Sequence, residues 1–263
     1  MTDVLERAGV TPRQIQRYGW KPSPPDLRDH IADASGLAVL DEVDPRAELP
    51  AVFDQGQLGS CTANAVAAAV EYDAKLSGSD PGTLSRLWIY YYERKIEGSP
   101  ADQDTGAYGR DGFKVSRTLG VPLETDWPYD VSKFSAEPPA TLADEAHQHR
   151  ISNYRSVPRN LDSFKAVLSN RQTIAFGFTV YESFESKEVA TSGIVPMPSR
   201  SERTLGGHEV LLVGYLKTEP NHGLVRNSWG TGWGLDGYFL MPWAYLLDAN
   251  LASDFRTVRR AAS

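Results

Sequence analysis

Apolar residues in the first half of the chain recur at spacings of three and four, which is typical of one face of an α-helix. This spacing is sustained from Ala63 to Ala74, and an aromatic-rich segment at 84–93 follows it. Asp111 and Gly120 have the residue types expected at the two ends of a third helix. The first half is therefore predicted to be mainly helical.

The second half of the chain changes to strand-like patterns. One helix is still expected at 161–168, with Asn160 as its N-cap. Helices first and strands second predict an α+β fold with two lobes. Apolar, partly alternating runs bounded by turn residues predict an antiparallel barrel or sheet with strands at 173–180, 209–216, 223–227 and 238–241.

Residues 1–40 have the pattern of an arm rather than of a domain. A short helix is expected at 11–18, followed by an extended proline-rich stretch. Tyr18 and Trp20 are two aromatic side chains that would bury well against another part of the protein. Two hypotheses follow: a loose tail, or a segment folded along the body and over its cleft.

Charge and composition exclude several classes of function. The formal net charge is −7, which argues against nucleic-acid binding. No apolar run reaches the roughly 20 residues that span a bilayer, so no membrane role is expected. The first residues lack the layout of a secretory signal, and the chain has a single cysteine. A cytoplasmic location is expected, with export by a route that needs no such signal as the alternative.

The single cysteine, Cys61, stands where a glycine- and glutamine-rich turn meets the first helical pattern. A thiol at a helix start experiences unpaired N–H groups and the positive end of the helix dipole, which favour the thiolate. Gln55, six residues earlier, can place an amide donor near the same sulfur. A lone cysteine is more often a small core residue, so the nucleophile hypothesis needs a base and a group that orients it.

His208 is the candidate base, because Gly206 and Gly207 precede it and an apolar strand follows it. This context places an imidazole at the mouth of a strand, open to a cleft. Asn227 closes the next strand and can orient the imidazole, and Trp229 could shield their hydrogen bond from water. The four residues Gln55, Cys61, His208 and Asn227 together predict nucleophilic catalysis.

These residues lie in motifs that resemble papain-like, cathepsin-type cysteine peptidases of the C1 family. The motifs are Gln-Gly-x-x-Gly-Ser-Cys at 55–61, Gly-His at 207–208 and Asn-Ser-Trp-Gly-x-x-Trp-Gly at 227–234. The resemblance covers roughly residues 40–263. It implies a papain-like two-lobed α+β fold, with a mainly helical lobe at 41–135, an antiparallel β-barrel lobe at 136–263 and the active-site cleft between them.

The resemblance also implies roles for single residues. Cys61 would be the nucleophile and His208 the base. Asn227 would orient the imidazole, and Gln55 would donate to the oxyanion together with the backbone N–H of Cys61. Gly59 and Gly106 match backbone positions that flank the unprimed side of a bound peptide, Trp229 borders the primed side, and Gly177 matches a wall of the pocket for the substrate's second residue.

Several positions depart from the family pattern. Leu58 and Thr62 stand where many relatives have cysteine and tryptophan, and the usual disulfides are absent. Glu209 follows the histidine, where relatives have a small residue that lines the same pocket as Gly177. Two hypotheses remain for Glu209: a carboxylate that makes this pocket favour Lys or Arg, or a side chain turned to solvent or paired with a nearby base.

The function predicted from the sequence is a cysteine-type endopeptidase that acts on peptides or proteins through a thioester. An acyltransferase or amidase with the same three residues is the alternative, and a non-catalytic peptide-binding homologue is a third hypothesis. No cofactor is expected. The pair His147 and His149 lacks nearby cysteines and is interpreted as a solvated helix face rather than a metal site.

Overall fold

A computed structural model describes residues 13–259 of the chain. Within that range, short 3₁₀ helices occupy Val131–Lys133, Ala140–Leu142 and Glu182–Glu185. The α-helices are α1 (Cys61–Leu76), α2 (Arg86–Ile96), α3 (Gly109–Thr118), α4 (Ala143–Gln148), α5 (Leu161–Ser169), α6 (Lys187–Ser192) and α7 (Trp243–Leu247). The strands are β1 (Asn153–Ser156), β2 (Ile174–Tyr181), β3 (Thr204–Gly214), β4 (His222–Arg226), β5 (Tyr238–Pro242) and β6 (Ala252–Arg259).

The strands form one antiparallel sheet in the order β1-β6-β2-β3-β4-β5. The α+β class predicted from the sequence is confirmed, but the prediction of a closed barrel is wrong. The edge strands β1 and β5 lie at opposite ends of this order and do not pair with each other. Within residues 13–259, the six strands lie between Asn153 and Arg259.

Both faces of the sheet pack against apolar cores. Along β3, Leu211 and Val213 join the apolar core that contains α1 and α2, whereas Val210 and Leu212 join the core on the opposite face. Consecutive side chains of a strand point to opposite faces. A strand that is apolar at every position is therefore buried on both sides, and the two cores share the sheet.

Helix α1 packs against β3 and carries the candidate nucleophile at its first residue. Its inward face is made of alanine and valine, and Ala63, Val66 and Ala67 are completely buried. Small side chains allow a helix to approach a sheet closely, which brings the start of α1 beside the start of the apolar part of β3. On α5 the predicted cap is confirmed, since Asn160 accepts a hydrogen bond from the backbone N–H of Ser163 at 2.8 Å.

The arm contains no helix over its described residues 13–18, so the helix expected at 11–18 is wrong there; Thr11, the expected cap, lies outside the described residues. The backbone donors of this stretch find partners on the body instead. The N–H of Ile15 donates to Glu185 at 2.9 Å, and the N–H of Gln16 donates to Gln57 at 3.2 Å. These bonds replace the donors' helical partners.

Strand β3 begins at Thr204, earlier than the residue 209 expected from its apolar run. Gly206 and Gly207 resemble a turn in the sequence, yet they pair with Val180 and Thr179 of β2. A side chain at either glycine would collide with the arm, since an ideal Cβ on Gly206 would lie 2.7 Å from Tyr18. The two glycines therefore make room for the arm on the sheet.

Candidate active site

Cys61 is completely buried at the first residue of α1. The turn before it is tight: the N–H of Ser60 donates to the carbonyl of Leu58 at 2.8 Å, and the N–H of Asn64 donates back to Ser60 at 3.1 Å. The backbone N–H of Cys61 is one of the first N–H groups of a helix, which have no partner inside the helix. Cys61 thus stands at the positive end of α1, which is the position in the fold that the sequence predicted for it.

His208 and Asn227 are brought together by the pairing of β3 with β4. The imidazole Nε2 lies 2.8 Å from the amide oxygen Oδ1 of Asn227, which also accepts the N–H of Ser228 at 2.8 Å. An amide oxygen can only accept, so Nε2 carries the proton and Nδ1 is left as the free acceptor. This is the tautomer that a base toward a thiol requires.

Aromatic rings hold the imidazole of His208 in place. Trp229 stacks on it with ring centroids 5.2 Å apart, and Phe178 contacts it edge-on at 5.8 Å. Trp229 is itself buried, and it lies two residues after Asn227 in the chain. The predicted shielding role of Trp229 is consistent with this position.

Gln55 is buried, and hydrogen bonds hold both its side chain and its backbone. Its Nε2 donates to the carbonyl of Leu58 at 2.9 Å, and its Oε1 accepts from the hydroxyl of Ser228 at 2.6 Å. Its backbone N–H donates to the carbonyl of Ser228 at 2.9 Å. One hydrogen of Nε2 remains for another acceptor. Ser228 was not singled out from the sequence, although its place beside Asn227 in the motif was the available signal.

The arm crosses the site at Gly19. The backbone N–H of Gly19 is hydrogen-bonded to the thiol of Cys61, and its carbonyl accepts from the N–H of Ala107 at 2.8 Å. An ideal Cβ on Gly19 would lie 1.7 Å from the carbonyl oxygen of Gly59, and one on Gly106 would lie 2.0 Å from that of Gly19. Gly59 and Gly106 thus flank the arm, where the sequence predicted that they flank a peptide.

Ala107 is the residue on this wall that the sequence reasoning missed. It forms a parallel bridge with Trp20, and its carbonyl accepts from the N–H of Lys21 at 3.1 Å. Its contribution is made entirely by its backbone, so its side chain gave no signal. Its place next to Gly106 was the only indication.

Trp20 fills a pocket whose walls are glycines. An ideal Cβ on Gly177 would lie 1.8 Å from its indole, and one on Gly207 would lie 2.5 Å from it. Gly177 pairs with Glu209 across β2 and β3, so Glu209 projects from the same face of the sheet. Its carboxyl lies against Gly109, where an ideal Cβ would be 2.1 Å from Oε2.

The carboxyl of Glu209 is buried, and no hydrogen-bond partner meets its Oε2 within residues 13–259. Burial raises its pKa well above the usual range, and Asp254 raises it further, while Arg256 opposes them. The hypothesis that Glu209 turns to solvent is therefore wrong with the arm in place. Glu209 lies inside the protein, on the same face of the sheet as the glycine that Trp20 contacts.

Thr62, which stands in place of the family's tryptophan, donates its hydroxyl to buried Glu93 at 2.8 Å. Glu93 lies on α2 against α3, since an ideal Cβ on Gly112 would be 2.2 Å from its Oε1. Burial raises the pKa of Glu93 well above its usual range, and the hydrogen bond from Thr62 opposes this. A hydroxyl hydrogen-bonded to a buried carboxyl therefore stands where the resemblance implies an aromatic ring.

The pKa values of Cys61 and His208 reflect the burial of both groups with the arm in place. Burial raises the pKa of the Cys61 thiol to about 12, although the backbone bonds from Glu209 and Gly19 lower it. Burial also lowers the pKa of His208 to about 4, against the effect of its bond to Asn227. Under the arm, thiol and imidazole are therefore both neutral. Water entering the cleft would favour the charged forms of both groups.

The described helices include none that is long and apolar enough to cross a membrane. An ion pair and side-chain hydrogen bonds hold the arm near the cleft. The guanidinium of Arg13 lies 2.7 Å from the carboxylate of Asp54 and donates to the carbonyl of Trp229 at 3.1 Å. The hydroxyl of Tyr18 donates to Glu185 at 2.7 Å.

Known proteins that are similar to this chain include cysteine proteases. The family model for papain family cysteine proteases matches residues 39–246. An uncharacterized peptidase C1-like protein of Acanthamoeba polyphaga mimivirus is 42% identical over 241 residues, which cover 88% of this chain and 75% of the viral protein. The chain spans 64% of cysteine proteinase 3 of Entamoeba histolytica, with which it shares 24% identity over 79% of its own length.

Among solved structures, xylellain, a cysteine protease from Xylella fastidiosa, matches with a TM-score of 0.85 and 36% identity, over 96% of this chain and all of that chain. Digestive procathepsin L 3 of Tenebrio molitor matches with a TM-score of 0.70 and 21% identity, over 88% and 73% of the two chains, which concerns the fold alone. The family match and the viral relative decide the assignment. The chain belongs to the papain family of cysteine proteases and is a hydrolase.

Proposed function

We propose that the chain is a cysteine endopeptidase in which Cys61, His208 and Asn227 form the catalytic group and Gln55 serves the oxyanion. The observation that carries this proposal is the pairing of His208 Nε2 with Asn227 Oδ1 at 2.8 Å. It leaves Nδ1 as the acceptor for the thiol proton. The thiol lies next to the same segment, because it is hydrogen-bonded to the backbone N–H of Glu209, the residue after His208.

The proposed reaction has two halves. The thiol proton moves to Nδ1 of His208 as the sulfur attacks the peptide carbonyl carbon, and the oxyanion accepts hydrogen bonds from Gln55 Nε2 and the backbone N–H of Cys61. The C–N bond breaks as His208 protonates the leaving amine, which gives a thioester. Water then gives a proton to His208 and attacks the thioester; the C–S bond breaks, and the thiol is restored.

We also propose that the arm inhibits the enzyme in cis. From Tyr18 to Trp20 the arm runs from the Trp229 side of the cleft to the Ala107 side. A peptide cleaved here would run the opposite way, with its N-terminal part on the Gly59 and Gly106 side. The backbone of Gly19 therefore lies at the nucleophile in an orientation unsuited to attack. The arm fills the cleft and is expected to resist cleavage there.

An epoxide-type thiol inhibitor tests the proposal. In the full-length chain carrying Gly19→Ala, the new methyl group collides with the backbone of Gly59, so the arm cannot dock as it does here. We expect rapid labelling at Cys61 by mass spectrometry, none in the further variant Cys61→Ser, and cleavage of internal peptide bonds in an unmodified protein substrate. Labelling without cleavage of such bonds would sink the endopeptidase proposal, and release of amide transfer products with an added amine would favour an acyltransferase.

For the pocket beside Gly177, we propose a preference for substrates with Lys or Arg as the second residue before the cleaved bond. A long cationic side chain could lie along the glycine walls and pair with Glu209, which has no partner for Oε2 among the described residues. In the Gly19→Ala chain, Glu209→Gln should lower the ratio of kcat/KM for Arg over Leu at this residue by about 10-fold, since a charge-assisted bond is lost.

The matched control is Glu188→Gln, which makes the same change at an exposed position on α6. It should leave the ratio of Arg to Leu unchanged. If the ratio is equal in the Glu209→Gln chain and its parent, Glu209 does not read the substrate and the pocket proposal fails.

A further inference from the structure

The peptide unit that joins Leu58 to Gly59 is held at both ends. Its carbonyl accepts from Nε2 of Gln55 at 2.9 Å, and its N–H donates to Oδ2 of Asp104 at 2.9 Å. A peptide unit is planar, so fixing the direction of its N–H also fixes the direction of its C=O. Asp104 therefore sets the direction of the acceptor to which the side chain of Gln55 is bound.

Asp104 is itself fixed by α2. Its Oδ1 accepts from the hydroxyl of Tyr90, a buried residue whose hydroxyl also accepts the N–H of Gly106 at 3.1 Å. The carboxylate contacts Gly59 closely, since an ideal Cβ there would lie 2.9 Å from Oδ1. Asp104 and Tyr90 thus join the turn before Cys61 to the loop that carries Gly106.

Arg94 gives this loop its shape. It is completely buried on α2, and its guanidinium lies 4.6 Å from the centre of the Tyr90 ring. It donates to the carbonyl of Ala101 at 2.8 Å and to that of Gln103 at 2.9 Å. The residue just before Asp104 is therefore held by a buried cation, so the carboxylate has a defined position rather than that of a mobile loop residue.

We infer that Asp104 is a positioning residue for the oxyanion donor, acting on Gln55 through the Leu58–Gly59 peptide. The inference rests on the proposed function. A carboxylate accepting from an amide makes a charge-assisted bond, roughly twice as strong as a neutral one.

A double-mutant cycle in the full-length Gly19→Ala chain tests this inference. Asp104→Ala should lower kcat for a peptide amide by about 10-fold with little change in KM, because the donor is displaced from the oxyanion. In a chain that already carries Gln55→Ala, the same substitution should change kcat by less than about 2-fold, because the residue through which Asp104 acts is gone. Alkylation of Cys61 by iodoacetamide forms no oxyanion, so the rate of alkylation should stay within about 2-fold of the parent rate in every variant.

Three further variants sharpen the test. Asp104→Asn keeps an oxygen that can accept from the N–H of Gly59, so its kcat should lie within about 3-fold of that of the Gly19→Ala parent. Tyr90→Phe removes the hydroxyl that fixes Asp104 and should lower kcat in the same direction as Asp104→Ala, even if the latter folds poorly. Asp102→Ala removes an exposed carboxylate from the same loop and should leave kcat unchanged.

An equal loss of kcat from Asp104→Ala with and without Gln55 would overturn the inference, since Asp104 would then act on the fold at large. A silent Asp104→Ala in an active chain would overturn it as well, while leaving the peptidase proposal intact. A Gly19→Ala chain that cleaves no peptide would be recognised before any Asp104 variant is made, and it would overturn the proposed function and this inference together.

Discussion

The two glutamines of the turn before Cys61 differ in the part of the molecule that they serve. Gln55 is buried and bonded to Leu58 and Ser228 of the body, whereas exposed Gln57 accepts from the arm at Gln16 and donates to it at Gln14. The bonds that hold Gln55 therefore lie within the body of the protein and do not depend on the arm. The arm is held both at the rim, by contacts such as those of Gln57, and within the cleft, by Gly19 and Trp20. Contacts at the rim can therefore be changed without rebuilding the site.

The largest effect is expected from a substitution at Gln55, in the active site itself, made in a chain whose arm is already displaced. In the full-length Gly19→Ala chain, Gln55→Ala should lower kcat by about 10²–10³-fold, the usual cost of losing one oxyanion donor. Steady-state kinetics with a peptide amide measure this loss. The rate of iodoacetamide alkylation should change little, because that reaction develops no oxyanion.

Gln57→Ala is the control within the same turn. In the Gly19→Ala chain, Gln57→Ala should leave kcat within about 2-fold of the parent value, because the side-chain hydrogen bonds of Gln57 go to Gln14 and Gln16 of the arm. Equal losses of kcat from Gln55→Ala and Gln57→Ala would mean that the turn acts as one unit and that the two glutamines do not serve different parts of the molecule.

The second prediction concerns the arm that lies over Cys61. Gly19→Ala should raise the rate of Cys61 alkylation at pH 7 by at least about 10-fold over the unchanged chain. Burial under the arm raises the pKa of the thiol to about 12, so little thiolate is present at neutral pH. Water admitted to the cleft lowers this pKa, and the curve of alkylation rate against pH should move to lower pH.

Leu27→Ala is the matched control, because Leu27 is a fully exposed residue of the same arm. It should leave both the rate and the pH curve unchanged. If Gly19→Ala also leaves them unchanged, the arm does not govern access to Cys61, and the autoinhibition proposal fails.

Local sequence order predicted where the proposed site residues lie in the fold when those residues stand in continuous motifs. Cys61 at a helix start and His208 beside an apolar strand could be predicted because each depends on residues next to it in the chain. Asn160 as a cap is a local feature of the same kind. Gln55 lies in the same turn as Cys61, so its position too followed from local order.

Features that depend on distant partners could not be predicted in the same way. Ala107 acts through its backbone, which has the same chemistry at every residue. Strand β6 pairs with β1 and β2 from far along the chain, and its apolar pattern alone did not indicate a strand. Residues 13–18 have helix-like composition, but Glu185 and Gln57 take the backbone N–H groups of Ile15 and Gln16, so the arm stays extended.

The smallest expected effect concerns the ionic contact at the rim. Arg13→Gln removes the pair with Asp54, whose side chains are 17% and 57% exposed, respectively. Exposed pairs contribute about 0.2–1 kcal/mol, so alkylation of Cys61 in the otherwise unchanged chain should rise only about 1.4- to 5-fold. Salt screens such pairs, and added NaCl should speed alkylation of the parent chain more than that of the variant.

Arg28→Gln provides the comparison for this last effect, because Arg28 pairs with Asp26 inside the arm and is 88% exposed. It removes the same charge without touching a bond between arm and body, so alkylation and its salt dependence should match the parent chain. If Arg28→Gln has the same effect as Arg13→Gln, the arm responds to its net charge and not to the contact at Asp54. If only Arg13→Gln has an effect, and it is small, the arm is held mainly by Tyr18 and Trp20 within the cleft, with the rim charges adjusting how often it opens.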